Sequence, residues 1–563
     1  MTATPVATPA EVHAERLRGV AKSGGISLIG AVASSFLGFL LVVLVSRGLG
    51  ASGAGAFSVA VAVSMTLTVV GRLGADTALV RNLPRMRELG RDADIPVAVR
   101  TSLVPVCLIS TAFAAALWIL APHLVPLVFT DGSDAASVGL LRGAALVVPF
   151  GAAGFVALAV TRGLGTIVPM TLVESIAKPV FRCLFVAAAL VAGASTMGTM
   201  SAWAAPAILG AALSYWAMRR SMRVVRRTGP VPSAVERRAI GTEMWTFAAP
   251  RGVAALCEIA GMHAGIILTS ALAGTDDAGI YNAVLRLALA GTLALQALRL
   301  AIAPQVSRML TAGDTDGVER VHHASATWIV LLSFPLYLIF AAWPVQLLSL
   351  FGHEFTAGAP SLTILSLALL VNLGTGNVST ILLMSGRSGL TLGITAGSLT
   401  LGIALTVALA PHWGVLGAAV AKGIAVVFEN VAVTLAVRRT TGVTTLNRPL
   451  IAAIALAGAC YGLPALALLA IPGIAMTSLP VAIGTALVGT AVYCAVVWRL
   501  RELFQLAALT AVVPVRLARR FRRSAEPLGR SGAEPLGRSS AEPLGHSSTA
   551  IDTVIDTPKG SSR

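Results

Sequence analysis

The sequence predicts an all-α integral membrane protein with about 14 transmembrane helices. The chain has 563 residues, of which 56% are hydrophobic and only 12% are charged, and its mean hydropathy is +0.83. A soluble protein carries about 25% charged residues. Apolar runs of about 20 residues, the length needed to cross a bilayer, recur along the chain. One long membrane domain therefore explains the length better than several soluble domains.

The apolar runs are separated by short polar loops, and each run is one predicted span. The spans, in order, are 24–46, 53–75, 101–129, 140–161, 165–193, 196–218, 243–273, 279–304, 324–350, 358–385, 388–410, 413–437, 449–471 and 478–500. The number of crossings is even. Both chain termini are therefore expected on the same side of the membrane.

Charged residues are distributed unevenly between alternate loops. Although the net charge is +17, the arginines are concentrated in every second loop, as with Arg85 and Arg219, while the loops between them carry acids such as Asp276 and Glu354. An excess of basic residues marks cytoplasmic loops. We therefore predict a multi-pass protein of the plasma membrane with both termini in the cytoplasm. Because the basic residues are explained by topology, no nucleic-acid partner is expected.

The C-terminal tail differs in composition from the rest of the chain. The segment AEPLGRS occurs at 525–531 and 533–539, and AEPLGHS follows at 541–547. Repeats rich in Pro, Gly and Ser are typical of disorder. The basic residues between Arg516 and Arg523 precede them, and such clusters bind anionic membrane lipids. Anionic lipids are therefore predicted partners of the tail.

An internal repeat divides the membrane domain. The pattern Ser46-x3-Gly50-x3-Ala54-Gly55-x-Phe57 recurs 224 residues later as Ser270-x3-Gly274-x3-Ala278-Gly279-x-Tyr281. Six spans separate the copies, so both copies point the same way through the membrane, and we expect two parallel-repeat six-helix lobes plus two C-terminal helices. The predicted domains are a cytosolic segment at 1–23, an N-lobe at 24–218, a basic cytosolic linker at 219–242, a C-lobe at 243–440, helices thirteen and fourteen at 441–504, and a basic then disordered tail at 505–563.

Several charged residues fall inside predicted spans, where each costs at least about 3 kcal/mol. The candidate substrate-binding cations are Arg72, Lys178, Arg182, Arg251, Arg286, Arg299 and Lys422, with Arg142 near the outer edge. The candidate ion-coupling acids are Asp76, Glu174, Glu258 and Glu429. The cations outnumber the acids. A pyrophosphate would supply the missing negative charge.

Helical spacing places some of these charges on shared faces. Residues Glu174, Lys178 and Arg182 recur every four residues and line one face of span five. Arg251 and Glu258 are seven residues apart and also share a face. The alternative interpretation, left open by the sequence, is that these groups form salt bridges between helices or extend to the headgroups. The chain has no ATP-binding motif, so a buried acid would couple transport to a proton or sodium gradient, or to the membrane potential.

The loops after spans one and seven resemble a known family. The patterns Arg47-x-Leu49-Gly50-x4-Gly55-x-Phe57 and 278–283 (AGIYNA), together with 303–305 (APQ) and 312–314 (AGD), are similar to polysaccharide flippases of the multidrug/oligosaccharidyl-lipid/polysaccharide exporter superfamily. The resemblance implies two lobes around a central cavity that opens alternately to each side. It also implies a polyprenyl-pyrophosphate-linked oligosaccharide as cargo and a polysaccharide polymerase as a partner. No charge lies between Lys22 and Arg47, which favours a polysaccharide precursor over lipid II.

Two other function classes remain as alternatives. A cation-coupled multidrug-type antiporter of the same superfamily would prefer an anionic cavity, and the cation surplus disfavours it. A membrane-embedded glycan polymerase would need a large external loop or an acidic catalytic motif, whereas every predicted external loop is short. We therefore predict a transporter rather than an enzyme. The five cysteines lie in apolar runs without metal-ligand spacing, so neither a metal nor a cofactor is expected.

Overall fold

The computed structural model of the chain describes residues 9–130, 135–225, 232–469 and 479–506, and these residues contain helices and turns but no strand. All of them belong to one compact unit, Met1–Val512. The predicted tail beyond residue 506 lies outside the described residues. So do Asp131 and Asp134 of one acidic loop, and positions 226–231 of the predicted linker.

The first half of the chain forms seven helices. They are α1 Pro9–Arg72, α2 Ala75–Glu88, α3 Ile95–Val128, α4 Ala135–Gly163, α5 Val168–Met170, α6 Lys178–Val191 and α7 Thr196–Arg223. A 3-10 turn, Asp92–Asp94, precedes α3, and a π-helical turn, Thr171–Ala177, joins α5 to α6. Helix α1 begins within the predicted 1–23 segment and continues without a gap into the first span.

The second half forms eleven helices. They are α8 Ala234–Ala273, α9 Thr275–Ala290, α10 Leu293–Thr311, α11 Thr315–Ala342, α12 Pro344–Leu348, α13 Ala359–Gly374, α14 Val378–Met384, α15 Ser388–Thr441, α16 Arg448–Ala457, α17 Leu463–Leu469 and α18 Leu479–Arg499. A 3-10 turn, Glu354–Gly358, precedes α13, and a π-helical turn, Gly458–Gly462, joins α16 to α17.

Each predicted span corresponds to a helical segment. Nine segments in the described residues are long and apolar enough to cross a membrane. Helices α1 and α15 each contain a non-helical glycine, Gly50 (φ 69°, ψ −173°) and Gly414 (φ 54°, ψ −130°), and each therefore covers two predicted spans. Helix α7 and the pairs α5–α6 and α9–α10 account for the others. The predicted all-α membrane fold is confirmed.

The repeat seen in the sequence is also present in the order of helices. The chain breaks at Gly50 within α1 and at Gly274 between α8 and α9. A second break follows in each half, at Leu73–Gly74 between α1 and α2 and at Gly291–Thr292 between α9 and α10. We call α1–α7 the N-lobe and α8–α15 the C-lobe.

Loops that the sequence predicts on one side of the membrane are neighbours in the structure. Arg87 Nη1 donates to the carbonyl oxygen of Leu164 at 3.4 Å, and Arg85 Nη1 lies 3.4 Å from Glu243 Oε1. We call this side the basic face. On the opposite face, Arg47 Nε donates to the carbonyl oxygen of Leu350 at 2.8 Å.

A glycine crossing joins the lobes at the opposite face. A Cβ on Gly55 would lie 1.7 Å from the Thr275 carbonyl oxygen, and a Cβ on Gly279 would lie 2.2 Å from the Ala51 carbonyl oxygen. The two contacts are equivalent, because Gly279 and Thr275 lie 224 positions after Gly55 and Ala51. Only glycine allows two backbones to approach this closely, as at small-residue contacts between membrane helices.

Polar contacts accompany the crossing. Asn282 Nδ2 donates to Ser58 Oγ at 2.8 Å, and these two residues are again 224 positions apart. The Ala51 N–H donates to Glu354 Oε2 at 2.8 Å, immediately after the break at Gly50. The carboxylate therefore lies at the N-terminus of the second half of α1, where negative charge is favoured. These bonds hold the opposite face closed.

The basic face is closed as well. A Cβ on Gly74 would lie 2.2 Å from the Ala248 carbonyl oxygen, so the turn after α1 packs directly on α8. Glu243 of α8 accepts from both Arg85, at 3.4 Å, and Arg91, at 3.5 Å. A buried apolar cluster that joins α2, α3, α4 and α8 lies beneath these ion pairs. The two lobes thus meet at both faces and enclose space at mid-depth.

Candidate functional site

A cavity of about 220 Å³ lies between the lobes, and we call it the interlobe cavity. Its walls come from α1, α6 and α7 of the N-lobe and from α8 and α9 of the C-lobe. The polar and aromatic side chains that line it are Ser34, Ser46, Phe57, Ser58, Arg182, Trp203, His263, Asn282 and Arg286. None of the described residues lining the cavity is an acid, so its charge is positive.

Arg182 enters the cavity from α6. The π-helical turn that precedes α6 changes the register of the helix, a feature that is frequent at functional sites. The guanidinium carbon lies 4.2 Å from the centre of the Trp203 ring, a cation–π contact that orients the side chain. Its Nε is buried and has no hydrogen-bond acceptor among the described residues. The contact with Trp203 therefore positions the charge without neutralising it.

Arg286 enters from α9, on the other lobe. Gly38 of α1 packs against it, since a Cβ at that position would lie 3.8 Å from Arg286 Nη1. No hydrogen bond or ion pair of Arg286 occurs within the part of the chain that the structure describes. His263 lies on the same wall, with a buried Nδ1 that lacks a partner there. Two arginines from different lobes thus line one cavity that has no acid among its described lining residues.

Two other predicted cations are neutralised within the N-lobe. Lys178 Nζ donates to both carboxylate oxygens of Glu174, at 2.8 and 2.9 Å. Arg72 Nη1 lies 3.9 Å from Asp76 Oδ2, and its guanidinium carbon lies 4.0 Å from the centre of the Phe155 ring. The predicted acids Asp76 and Glu174 therefore act as counterions in this structure.

Two further cations lie away from the interlobe cavity. Arg251 Nη1 forms an ion pair with Glu258 Oε1 at 3.0 Å, and their side chains are 39% and 62% exposed. Arg142 lies over the Trp118 ring, 5.5 Å from its centre, and donates to the carbonyl oxygen of the same residue at 3.3 Å. Neither arginine lines the interlobe cavity.

A second cavity, of about 300 Å³, lies inside the C-lobe between α8, α9 and α15. Lys422 Nζ donates to the Gly261 carbonyl oxygen at 3.2 Å. Glu429 accepts from Thr395 Oγ1 at 3.1 Å and from Ser398 Oγ at 3.4 Å. We call this the C-lobe cavity. Glu258, the partner of Arg251, also lines it, and Arg299 on α10 lies within electrostatic range of Glu429.

The structure therefore divides the predicted cations and acids into separate groups. Of these predicted residues, Arg182 and Arg286 share the interlobe cavity, and the sequence did not indicate which other polar residues line it. Asn282 and Ser58 could have been found from the repeat, because they occupy equivalent positions in the two copies. Trp203 had no comparable signal, because its ring reaches Arg182 through the packing of α7 on α6.

Comparison with solved structures gives the fold. The chain is similar to the lipid II flippase MurJ in an inward closed conformation, with a TM-score of 0.65 at 12% identity, covering 84% of this chain and 98% of that one. An inward-facing multidrug resistance MATE family transporter of the MOP superfamily gives 0.61 at 14% identity, with 73% and 94% covered. The eukaryotic MATE transporter AtDTX14 gives 0.53 at 14%, with 79% and 99% covered.

Comparison of the sequence with family models gives the family. A search of curated protein sequences finds no match. The model of the family described as "Polysaccharide biosynthesis protein" matches residues 20–310, more than half of the chain. The predicted resemblance to polysaccharide flippases is confirmed. The chain is a multi-pass membrane protein that belongs to the polysaccharide biosynthesis protein family and has the fold of MOP-superfamily transporters.

Proposed function

We propose that the chain is a flippase that moves a polyprenyl-pyrophosphate-linked oligosaccharide across the plasma membrane for cell-surface polysaccharide assembly. The observation that carries the proposal is the pair of arginines, Arg182 and Arg286, in an interlobe cavity with no acid among its described lining residues. Leaving buried charges without a partner is costly. A pyrophosphate offers several oxygens that both guanidinium groups can bind at once.

The two closed faces support alternating access as the mechanism. The interlobe cavity, at about 220 Å³, is smaller than the roughly 300–1,000 Å³ of pockets that hold drug-sized ligands. An oligosaccharide can therefore enter only when the lobes separate at one face. The Gly55–Gly279 crossing and the Gly74–Ala248 contact would open in turn. The similar fold of the lipid II flippase supports a lipid-linked cargo.

The C-lobe cavity supports coupling to an ion. Glu429 has two hydroxyl groups beside it, and its carboxylate is a group that a proton or a sodium ion can bind. Glu258 lines the same cavity, but it would first have to release Arg251, just as Asp76 and Glu174 would have to release their cations. In this proposal the basic face is cytoplasmic, both termini lie in the cytoplasm, and a polysaccharide polymerase consumes the product outside.

A translocation assay tests the assignment of the cavity. The protein is reconstituted in liposomes with a fluorescent polyprenyl-pyrophosphate oligosaccharide, and the rate at which the label becomes accessible on the far side is measured. Because a hydrogen bond to a charged group contributes about 1.5–3 kcal/mol, R182Q and R286Q should each slow translocation by about tenfold to a hundredfold.

The matched control is R142Q, which removes an arginine that also lies over a tryptophan ring but outside both cavities. It should translocate at the wild-type rate. Wild-type rates for both R182Q and R286Q would rule out the interlobe cavity as the phosphate site. Two further measurements on the same liposomes test the alternative functions. Efflux of an organic cation would favour the antiporter, and synthesis of polymer would favour the glycan polymerase.

A further inference from the structure

A groove of about 980 Å³ lies at the basic face, outside the interlobe cavity. One wall is the first part of α3, from the N-lobe, and the other is the first part of α8, from the C-lobe. Three arginines line it, Arg100 on α3 and Arg237 and Arg238 on α8, together with Thr101 and Trp245. We call it the basic groove. It shares no lining residue with the interlobe cavity.

The three arginines have no counterion among the residues that the structure describes. None of their side chains forms an ion pair or hydrogen bond within the described ranges of the chain, and no acid occurs among the described residues lining the groove. Two acids on α8 close to Arg237 and Arg238 in sequence are already engaged. Glu243 is held by Arg85 and Arg91, and Glu236 accepts from the backbone N–H of Ser233 at 2.6 Å. The groove therefore presents a concentrated positive charge that an external anion can neutralise.

Apolar side chains continue from the groove along both helices toward the centre of the membrane. On α3, Val104 and Leu108 are 46% and 67% exposed, and on α8, Val253 and Leu256 are 63% and 40% exposed. Val104 and Leu108 follow Arg100 at four-residue intervals, so all three share one face. A charged groove joined to an exposed apolar surface matches a lipid, with a headgroup and acyl chains, better than free phosphate.

The groove also spans the two lobes. Trp245 Nε1 of α8 donates to the carbonyl oxygen of Thr101 on α3 at 3.2 Å, so the walls are held together in this closed state. Opening of the basic face would move Arg100 away from Arg237 and Arg238. An occupant that binds both walls must therefore favour the closed basic face. A preference for the closed basic face is expected of a lipid that stays bound, whereas a cargo must enter through the open face.

We propose that the basic groove binds the phosphate headgroup of an anionic phospholipid, with its acyl chains on the exposed stripes of α3 and α8, and that this lipid stabilises the closed basic face. Arginines near a membrane surface each contribute about 1 kcal/mol toward binding an anionic lipid. Three of them predict a preference for phosphatidylglycerol over phosphatidylcholine of about a hundredfold.

Native mass spectrometry of the purified full chain in detergent, titrated with phosphatidylglycerol or phosphatidylcholine, tests the site. Wild type should retain one phosphatidylglycerol, and the triple variant R100Q/R237Q/R238Q should lose it, with an affinity about tenfold to a hundredfold lower. The control is R219Q/R220Q/R223Q, which removes the same charge at the same face from the end of α7, where these side chains are exposed. It should retain the lipid.

Four results would overturn the proposal. Equal lipid loss in the two triple variants would show diffuse surface charge. Equal retention of phosphatidylcholine would show that the headgroup charge is not recognised. Competition by inorganic phosphate would show an anion site with no need for acyl chains. Displacement of phosphatidylglycerol by a lower concentration of a polyprenyl pyrophosphate would show that the groove binds the cargo. All four readings are independent of translocation, so failure here leaves the proposed function intact, and failure of transport leaves this proposal intact.

The closing effect is tested by distance. Spin labels at V97C on α3 and T242C on α8 flank the groove, and double electron–electron resonance reports their separation in nanodiscs. Phosphatidylglycerol should increase the short-distance population of wild type and leave that of R100Q/R237Q/R238Q unchanged. The same distribution for wild type with and without phosphatidylglycerol would contradict the stabilisation of the closed face.

Discussion

The glycine crossing at the opposite face is the contact most sensitive to a single methyl group. In Gly55→Ala the new Cβ would lie 1.7 Å from the Thr275 carbonyl oxygen, whereas ordinary contacts begin near 3.4 Å. The obstacle is backbone rather than a flexible side chain, so α1 and α9 must separate. Overpacking of this kind costs about 1–3 kcal/mol, and about 2 kcal/mol lowers the closed-to-open ratio about thirtyfold. Gly279→Ala should act in the same way, because its Cβ would lie 2.2 Å from the Ala51 carbonyl oxygen.

The assay is a distance measurement across the opposite face. Spin labels replace Val191, at the end of α6, and Trp413, beside the break in α15; these side chains are 90% and 56% exposed. The five native cysteines are replaced by alanine beforehand. Wild type should give mainly the short distance, and Gly55→Ala mainly a longer one.

The matched control is Gly393→Ala, a substitution within α15 whose Cβ would meet nothing within 4 Å. It should keep the wild-type distance distribution, and its stability should be at least that of wild type, because alanine has the higher helix propensity. An unchanged distribution for Gly55→Ala would refute the interpretation of the crossing as a gate. So would loss of helical content without a longer distance, because the glycine would then serve the fold alone.

Three other substitutions test separate parts of the structure. Lys178→Met should lower stability by at most about 3–5 kcal/mol, because it leaves the partly buried Glu174 without its closest cation, and Glu174→Gln/Lys178→Met should recover most of the loss in thermal unfolding. Glu354→Ala removes the acceptor of the Ala51 N–H and should cost about 1 kcal/mol, seen as an approximately fivefold rise in the open population across the opposite face. Glu243→Gln weakens two partly exposed ion pairs worth about 0.2–1 kcal/mol each, so opening of the basic face should rise by about twofold to thirtyfold; a larger rise would mean that these pairs are the main closing contact.

Hydropathy was sufficient to predict the membrane helices, and charge was sufficient to predict which loops lie next to each other at one face. A bilayer strongly constrains both the length of a span and the charge of a loop. The breaks at Leu73–Gly74 and Gly291–Thr292 were not predicted. Gly291–Thr292 lies within an apolar run, and Leu73–Gly74 lies at the end of one, between Arg72 and Asp76, which the sequence places on one helical turn. They depend on tertiary contacts, as with Gly74 against Ala248, which one sequence does not reveal.

Spacing predicted which charges share a helical face but not what that face meets. Glu174 and Lys178 do pair, as their four-residue separation allows, and Arg251 pairs with Glu258 seven residues on. Arg182 continues the same series, yet it lies over Trp203 from another helix and keeps its charge available. The difference between an ion pair and a binding group is set by neighbouring helices, so it became visible only with the fold.

Direct binding of the headgroup is the measurement closest to the central claim. Isothermal titration compares a short-chain polyprenyl pyrophosphate with the corresponding neutral alcohol, using wild type and R182Q/R286Q in detergent. We expect wild type to bind the pyrophosphate, to ignore the alcohol, and to lose at least about a hundredfold in affinity when both guanidinium groups are removed. Equal affinity of wild type and R182Q/R286Q for the pyrophosphate would contradict the assignment of the interlobe cavity.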